Sequence, residues 1–259
     1  MGEIEVRGPQ ASEFLDHALS GHLSSIDIGR AKYSLLLHES GGIIDDLVVY
    51  RLGEERFLVV CNASNVGIVA PELVARAANF DVTVENQTSD WALIAVQGPL
   101  SVDIMITALR DLDGSPTPAD IRTLGYYRIL TGSYEGAEIL VSRTGYTGED
   151  GFELYIPPAQ AASLWDHLSA AGGQSLLPCG LACRDTLRLE AGMPLYGHEL
   201  SLDVLPAQAG LGRIVALKAK GDFVGRSGIE NADLDKRPVL VGLAGEGRRA
   251  ARADSVVRD

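Results

Sequence analysis

The sequence predicts an α+β fold built from two successive ferredoxin-like, split βαβ units. Three observations predict it. Strand-like and helix-like periodicities alternate from Glu3 to Ile156. The order of strands and helices restarts near residue 90. The tetrapeptide Val6-Arg7-Gly8-Pro9 is echoed 90 residues later by Val96-Gln97-Gly98-Pro99. That echo has two readings, an internal duplication or Gly-Pro pairs that simply end two unrelated strands.

The first unit reads as follows. Glu3–Arg7 alternates polar and apolar and stops at Gly8-Pro9. Ala11, Phe14, Leu15, Ala18 and Leu19 recur at helical spacing. Strands are expected at Tyr33–His38, at Ile43–Leu52 after Gly41-Gly42, and at Phe57–Cys61. A helix is expected over Asn65–Ala78, with Pro71 against an unkinked one, and a strand over Asp81–Glu85. The second unit offers a strand at Ala92–Gln97, a helix at Leu100–Leu109 and strands at Tyr126–Tyr134, Ala137–Ser142 and Phe152–Ile156. A helix over Ala159–Ala170 follows, with Pro157 and Pro158 suited to its start. A further helix, Gly180–Ala191, ends at Gly192 and Pro194. Residues 201–228 are Gly-rich and irregular, and Val239–Leu243 opens a new strand. The tail GEGRRAARADSVVRD brings four arginines and no strand to pair with it.

Composition excludes several classes. At 46% hydrophobic and 22% charged residues the chain is globular rather than disordered. A net charge of −13 opposes a nucleic-acid or anionic-membrane partner, because phosphates are held by Lys and Arg fields. No apolar run approaches the ~20 residues of a membrane span. The N-terminus MGEIEVRGPQ lacks the cations and apolar core of a signal peptide. Three cysteines are too few for a disulfide framework, which points to a reducing, cytoplasmic location. No Walker loop, Rossmann fingerprint or metal-ligand spacing is present. Cys179 and Cys183 stand four apart near a helix start and are expected to be buried small hydrophobes rather than zinc ligands.

Three stretches are candidates for chemistry. In GGIIDDLVVY, strand alternation puts Ile44, Asp46, Val48 and Tyr50 on one face and Ile43, Asp45, Leu47 and Val49 on the other. Each face holds one carboxylate among apolar side chains, either buried and functional or solvated at the strand mouth. RTGYTGEDGFEL has three glycines at every third position before Glu153. It is a loop that lets backbone approach a ligand, with Tyr146 as a wall and Glu153 as an acceptor, or an ordinary hairpin loop. GLACRDTLRLEAG places Arg184 and Arg188 four apart on one helix face, facing an anion or pairing with Asp185 or Glu190.

These stretches, in this order, together with MGEIEVRGP, ALIAVQGP and KGDFVGR, resemble the T-protein family of the glycine cleavage system. The resemblance runs over nearly the whole chain, to about Ala253. It implies an aminomethyltransferase that takes the aminomethyl group from lipoylated H-protein. Tetrahydrofolate is the acceptor, and 5,10-methylenetetrahydrofolate and ammonia are the products. It implies Asp46 as the key acid beside the attacking folate nitrogen, Glu153 at the pterin edge and Arg184 at a glutamyl carboxylate. Tyr33, Asn62 and Tyr146 fall at pocket positions. It also implies a cloverleaf of three parts, laid out as 1–87, 88–236 and 237–259, the last only the start of a C-terminal β-barrel. Against the family the chain is expected to be truncated at both ends, and the alternative is an inactive folate-binding remnant. Leu205-Pro206-Ala207-Gln208 departs from the family's T-P-x-E pattern. Gly192–Glu199 lacks the Lys and Cys of the iron–sulfur maintenance relatives, and no GxGxxG supports the flavin-dependent dehydrogenases that share the domain.

Overall fold

A computed structural model of the chain describes residues 1–110, 114–243 and 256. The first unit is β1 (Gly2–Arg7), α1 (Ala11–Ala18), β2 (Ala31–Leu37), β3 (Ile43–Arg51), β4 (Arg56–Cys61), α2 (Val66–Arg76) and β5 (Thr83–Asn86). The second is β6 (Ala92–Gln97), α3 (Ser101–Leu109), α4 (Pro118–Thr123), β7 (Ile129–Tyr134), β8 (Ala137–Ser142), β9 (Gly151–Ile156) and α5 (Pro158–Gly172). Then come α6 (Leu181–Glu190) and α7 (Arg226–Glu230). Each expected strand and helix before α6 is present, within a few residues at its ends. Pro71 sits inside α2.

The strands form two antiparallel sheets, ordered β2-β3-β4-β1-β5 and β6-β9-β8-β7. With β6 set against β1 and β7–β9 against β2–β4, the first four strands run in the same spatial order. Gly8 and Gly98, at the two Gly-Pro sites, both hold positive φ (140° and 117°). Shared strand order plus shared backbone conformation favour duplication over chance punctuation. In the first unit β5 adds to β1; the matching edge of β6 carries no strand among the described residues.

Alternation then sorts the side chains. Ile4, Val6, Leu47, Val49 and Val59 pack against Phe14 and Leu15 of α1 and Leu73 of α2. Val141, Phe152 and Leu154 pack against α3 and α5. The opposite faces meet between the sheets through Tyr50, Leu58, Val60, Ile129, Leu140 and Tyr155. The layers are therefore helices, sheet, sheet, helices. Residues 196–229 cover the β2–β3 edge, where Leu200, Val215 and Phe223 pack on Leu35, Leu37 and Ile43. Lys220 fastens this segment: its ammonium donates to the carbonyls of Asp16, Leu19 and Gly21, and burial lowers its pKa to about 8.

Three expectations need correction, and one element is new. The strand expected from Tyr126 begins at Ile129, because Tyr127 holds φ 57° and breaks the extended run. Helix α4 is an addition to the expected elements, with Thr117 and Asp120 forming a capping box at its start. No strand forms over Val239–Leu243. There Leu240 N donates to Gln208 O at 2.8 Å, with no partner strand among the described residues to build a ladder. Cys179 and Cys183 are exposed, not buried. The arginine-rich tail from Gly245 lies outside the described residues apart from Val256.

Candidate active site

A cavity of about 400 Å³ opens between the two sheets and is closed by α6 and the 192–195 loop. All six residues that the resemblance assigns to the site line it: Tyr33, Asp46, Asn62, Tyr146, Glu153 and Arg184. They come from β2, β3, the end of β4, the β8–β9 loop, β9 and α6. Strand parity explains the convergence. Asp46 shares the inter-sheet face with Val48 and Tyr50, and Glu153 shares it with Tyr155.

The two aspartates part company. Register slips between Leu36 and Leu37 so that Ile44 becomes an extra residue in β3. The bulge turns Ile44 to the helix side with Leu47 and Val49, not to the face of Asp46 as simple alternation expects. Asp45 is fully buried, 0% exposed, while Asp46 is half-buried at the cavity wall. One amide spans both. Asn62 Nδ2 donates to Asp45 Oδ1 (2.8 Å) and to Asp46 Oδ1 (2.9 Å), and Asn62 N donates to Asp45 Oδ2 (3.0 Å). Asn65 Nδ2 adds a bond to Asp45 Oδ1 at 2.8 Å, and Tyr33 Oη–H donates to Asp46 Oδ2 at 2.9 Å. Burial pushes Asp45 up to about 6 against these bonds. It also holds Asp46 above the ordinary carboxylate range, with Tyr33 and Asn62 pulling the other way.

On the opposite wall, burial likewise raises Glu153, opposed by a 2.5 Å bond from Thr144 Oγ1 and the field of Arg184. Tyr50 Oη sits 3.1 Å from Thr144 Oγ1 and 3.2 Å from Tyr155 Oη. Among the described residues, the side-chain bonds to Glu153 fall on Oε2, and Oε1 keeps its acceptor capacity. Gln97 braces this wall. Its Nε2 donates to the carbonyls of Thr144 (3.1 Å) and Phe152 (3.2 Å), and a Cβ on Gly145 would lie 1.9 Å from its Oε1. The Gly-rich loop is thus compressed against Gln97, which only a residue without a side chain permits.

The arginine pair also separates. Arg188 is 3% exposed and bonds Asp185 (2.8 Å), Glu199 (2.8 Å) and Met193 O (3.1 Å). Arg184 makes no ion pair among the described residues; its guanidinium lies 4.6 Å above the Tyr146 ring. Tyr146 Oη–H donates to Pro194 O and fixes that platform. A cation presented at the mouth without a protein carboxylate is suited to an anionic ligand group. Sequence reasoning missed Asn65, Thr144, Tyr50 and Tyr127. Of these only Tyr50 had a legible signal, its parity with Asp46.

A two-sheet α+β scaffold with an aromatic cavity, two raised carboxyl groups and a peripheral arginine defines a small-molecule site able to move a proton. Comparison with known proteins narrows the class. The GCVT N-terminal domain family model matches residues 1–219. The aminomethyltransferase of Cutibacterium acnes is 56% identical over 257 residues, covering 99% of this chain and 69% of that protein. That of Corynebacterium jeikeium is 52% identical over 265 residues, covering 97% and 67%. The crystal structure of glycine cleavage system aminomethyltransferase T from Bartonella henselae superposes with a TM-score of 0.80 at 36% identity, covering 92% of this chain and 62% of that one. The chain belongs to the aminomethyltransferase family of the glycine cleavage T-protein type. It spans about two thirds of the length of the curated relatives named here. Among the described residues no helix is long and apolar enough to cross a membrane.

Proposed function

We propose that the cavity binds tetrahydrofolate and that the chain transfers to it the aminomethyl group carried on lipoylated H-protein. The carrying observation is that one cavity joins a raised, hydrogen-bonded Asp46, an acceptor Glu153 and a cation at its mouth, Arg184. A cavity of this size is in the range that small-molecule ligands fill. The aromatic walls Tyr33, Tyr127 and Tyr146 suit flat rings.

In the transfer, the carbon's bonds to sulfur and to the leaving nitrogen break, and two bonds to folate nitrogens form. Asp46 orients the attacking nitrogen and stabilises positive charge as it develops. Burial tunes it for that task, because a carboxylate above its ordinary range is a stronger base. Tyr33 and Asn62 fix its two oxygens. Glu153 Oε1 accepts from the amino edge of the pterin, and Arg184 meets a glutamyl carboxylate.

The test is ammonia release from aminomethyl-loaded H-protein with tetrahydrofolate, beside calorimetric folate binding. Turnover supports the reading. Asp46→Asn is expected to abolish turnover and to change folate affinity by less than about tenfold, roughly 1.4 kcal/mol. Binding without turnover in the unmutated chain would favour the remnant alternative, and full activity in Asp46→Asn would remove Asp46 from its role.

A further inference from the structure

We propose that β6 is a docking edge for an extended strand, and that its occupant is Val239–Leu243 of a second copy of this chain. The first unit shows what such an edge accepts. There β5 pairs antiparallel with β1, Val84 opposite Val6, and Val82 and Val84 pack on the core under α1 and α2. In the second unit β6 takes the place of β1, yet its outer edge carries no strand among the described residues. A groove of about 330 Å³ lies there instead. Every residue from Leu93 to Gln97 lines it, so it follows the edge of the strand and not one face. Trp165 and Leu168 of α5, Leu176 and Leu177 beyond it, and Leu187 of α6 form apolar walls. Trp165 is 47% exposed and Leu177 72%. Edge strands are ordinarily blunted by a charge, a proline or a bulge. Ala92–Gln97 has no charged residue and no proline, and it pairs with β9 in unbroken register.

The chain also owns a strand-like segment without a sheet. Gln208 holds one edge of it: Nε2 donates to Pro238 O and the backbone carbonyl accepts from Leu240 N, each at 2.8 Å. On the other edge, the N–H groups of Val239, Val241 and Leu243 find no backbone acceptor among the described residues. Those three side chains are 65%, 66% and 72% exposed. In its own molecule Gln208 ties the segment to the cover over the β2–β3 edge, which belongs to the other sheet from β6. The strand for β6 therefore comes from a second copy.

Strand addition satisfies both partners at once. Backbone groups of the incoming segment bond the open edge, and alternate aliphatic side chains enter the apolar walls. Running antiparallel as β5 does, the segment sets its N-terminal end beside Gln97, as Thr83 lies beside Arg7. Lys236 and Arg237 then arrive at that end of the groove. Gln97 pairs there with Gly151, which follows exposed Glu149 and Asp150, so opposite charges meet.

Sedimentation velocity of the full chain over a concentration series tests this. The unmutated chain is expected to self-associate as concentration rises. Val241→Lys damages the strand and Leu177→Asp the groove; both positions are exposed, so both variants should keep the urea midpoint of the unmutated chain. Each alone is expected to weaken self-association by about tenfold or more. Mixed together they should associate with each other, because one keeps an intact groove and the other an intact strand. Amide exchange should slow over 92–97 in the associated form and stay unchanged over β7, the opposite edge of the same sheet. A chain that stays monomeric throughout, association that neither variant weakens, or a mixture no stronger than its components would overturn the proposal.

Discussion

Asn62→Ala removes the one amide that spans both aspartates, and its cost should depend on pH. The substitution deletes bonds of 2.8 and 2.9 Å to Asp45 Oδ1 and Asp46 Oδ1 but keeps the Asn62 backbone bond to Asp45. A bond to an ionised group contributes about 1.5–3 kcal/mol and one to a neutral group about 0.5–1.5. Two such bonds make the loss about 3–6 kcal/mol with both carboxylates ionised and about 1–3 with both protonated. Both bonds favour the charged forms, so their removal raises both pKa values further. Asp45, already at about 6 against 3.8 for a free aspartate, withdraws stability as pH rises through that interval. The variant extends the withdrawal to higher pH. Urea unfolding at pH 5 and pH 8 measures it: the loss should be larger at pH 8, by about 1–1.5 kcal/mol from the Asp45 bond. An equal loss at both values would show that Asn62 serves only as packing, and the electrostatic account of the pair would be wrong.

Three further outcomes are expected. Arg184→Ala should weaken tetrahydrofolate binding by about 1.5–3 kcal/mol while leaving the unfolding midpoint nearly unchanged, since Arg184 is exposed and makes no ion pair among the described residues; calorimetry and a urea titration check the two halves. Gly42→Ala should destabilise by about 1–3 kcal/mol and loosen residues 196–211 in hydrogen exchange, because a Cβ there would sit 1.8 Å from Leu202 O in a segment held by the Ile43 N–H. Glu3 is 1% exposed with Oε2 unpartnered, and burial raises it from 4.5 to about 7. Native stability therefore falls as pH rises between those values, by up to about 3 kcal/mol, and Glu3→Gln should flatten that part of the stability–pH curve.

Much of this protein was legible in its residues because its signals are local. Period-two and period-3.6 patterns marked the elements of both units, and the Gly-Pro echo marked their repetition. The three candidate stretches, with the resemblance they carry, picked out six residues that line one cavity. What escaped was set by contacts between distant segments. The slip opposite Leu37 decides which way Ile44 points, and no count along β3 alone reveals a slip against β2. Val239–Leu243 has the composition of a strand, yet a ladder needs a second strand that it does not find among the described residues. Sequence spacing put Arg184 and Arg188 on one helix face. Only the fold supplied Glu199 to one and an aromatic ring to the other, leaving Arg184 as the cation at the cavity mouth. The sequence thus determined which groups the protein owns. The tertiary structure decided which are neutralised, which are buried with raised pKa, and which remain available to a ligand, because burial and pairing are properties of where chain segments meet.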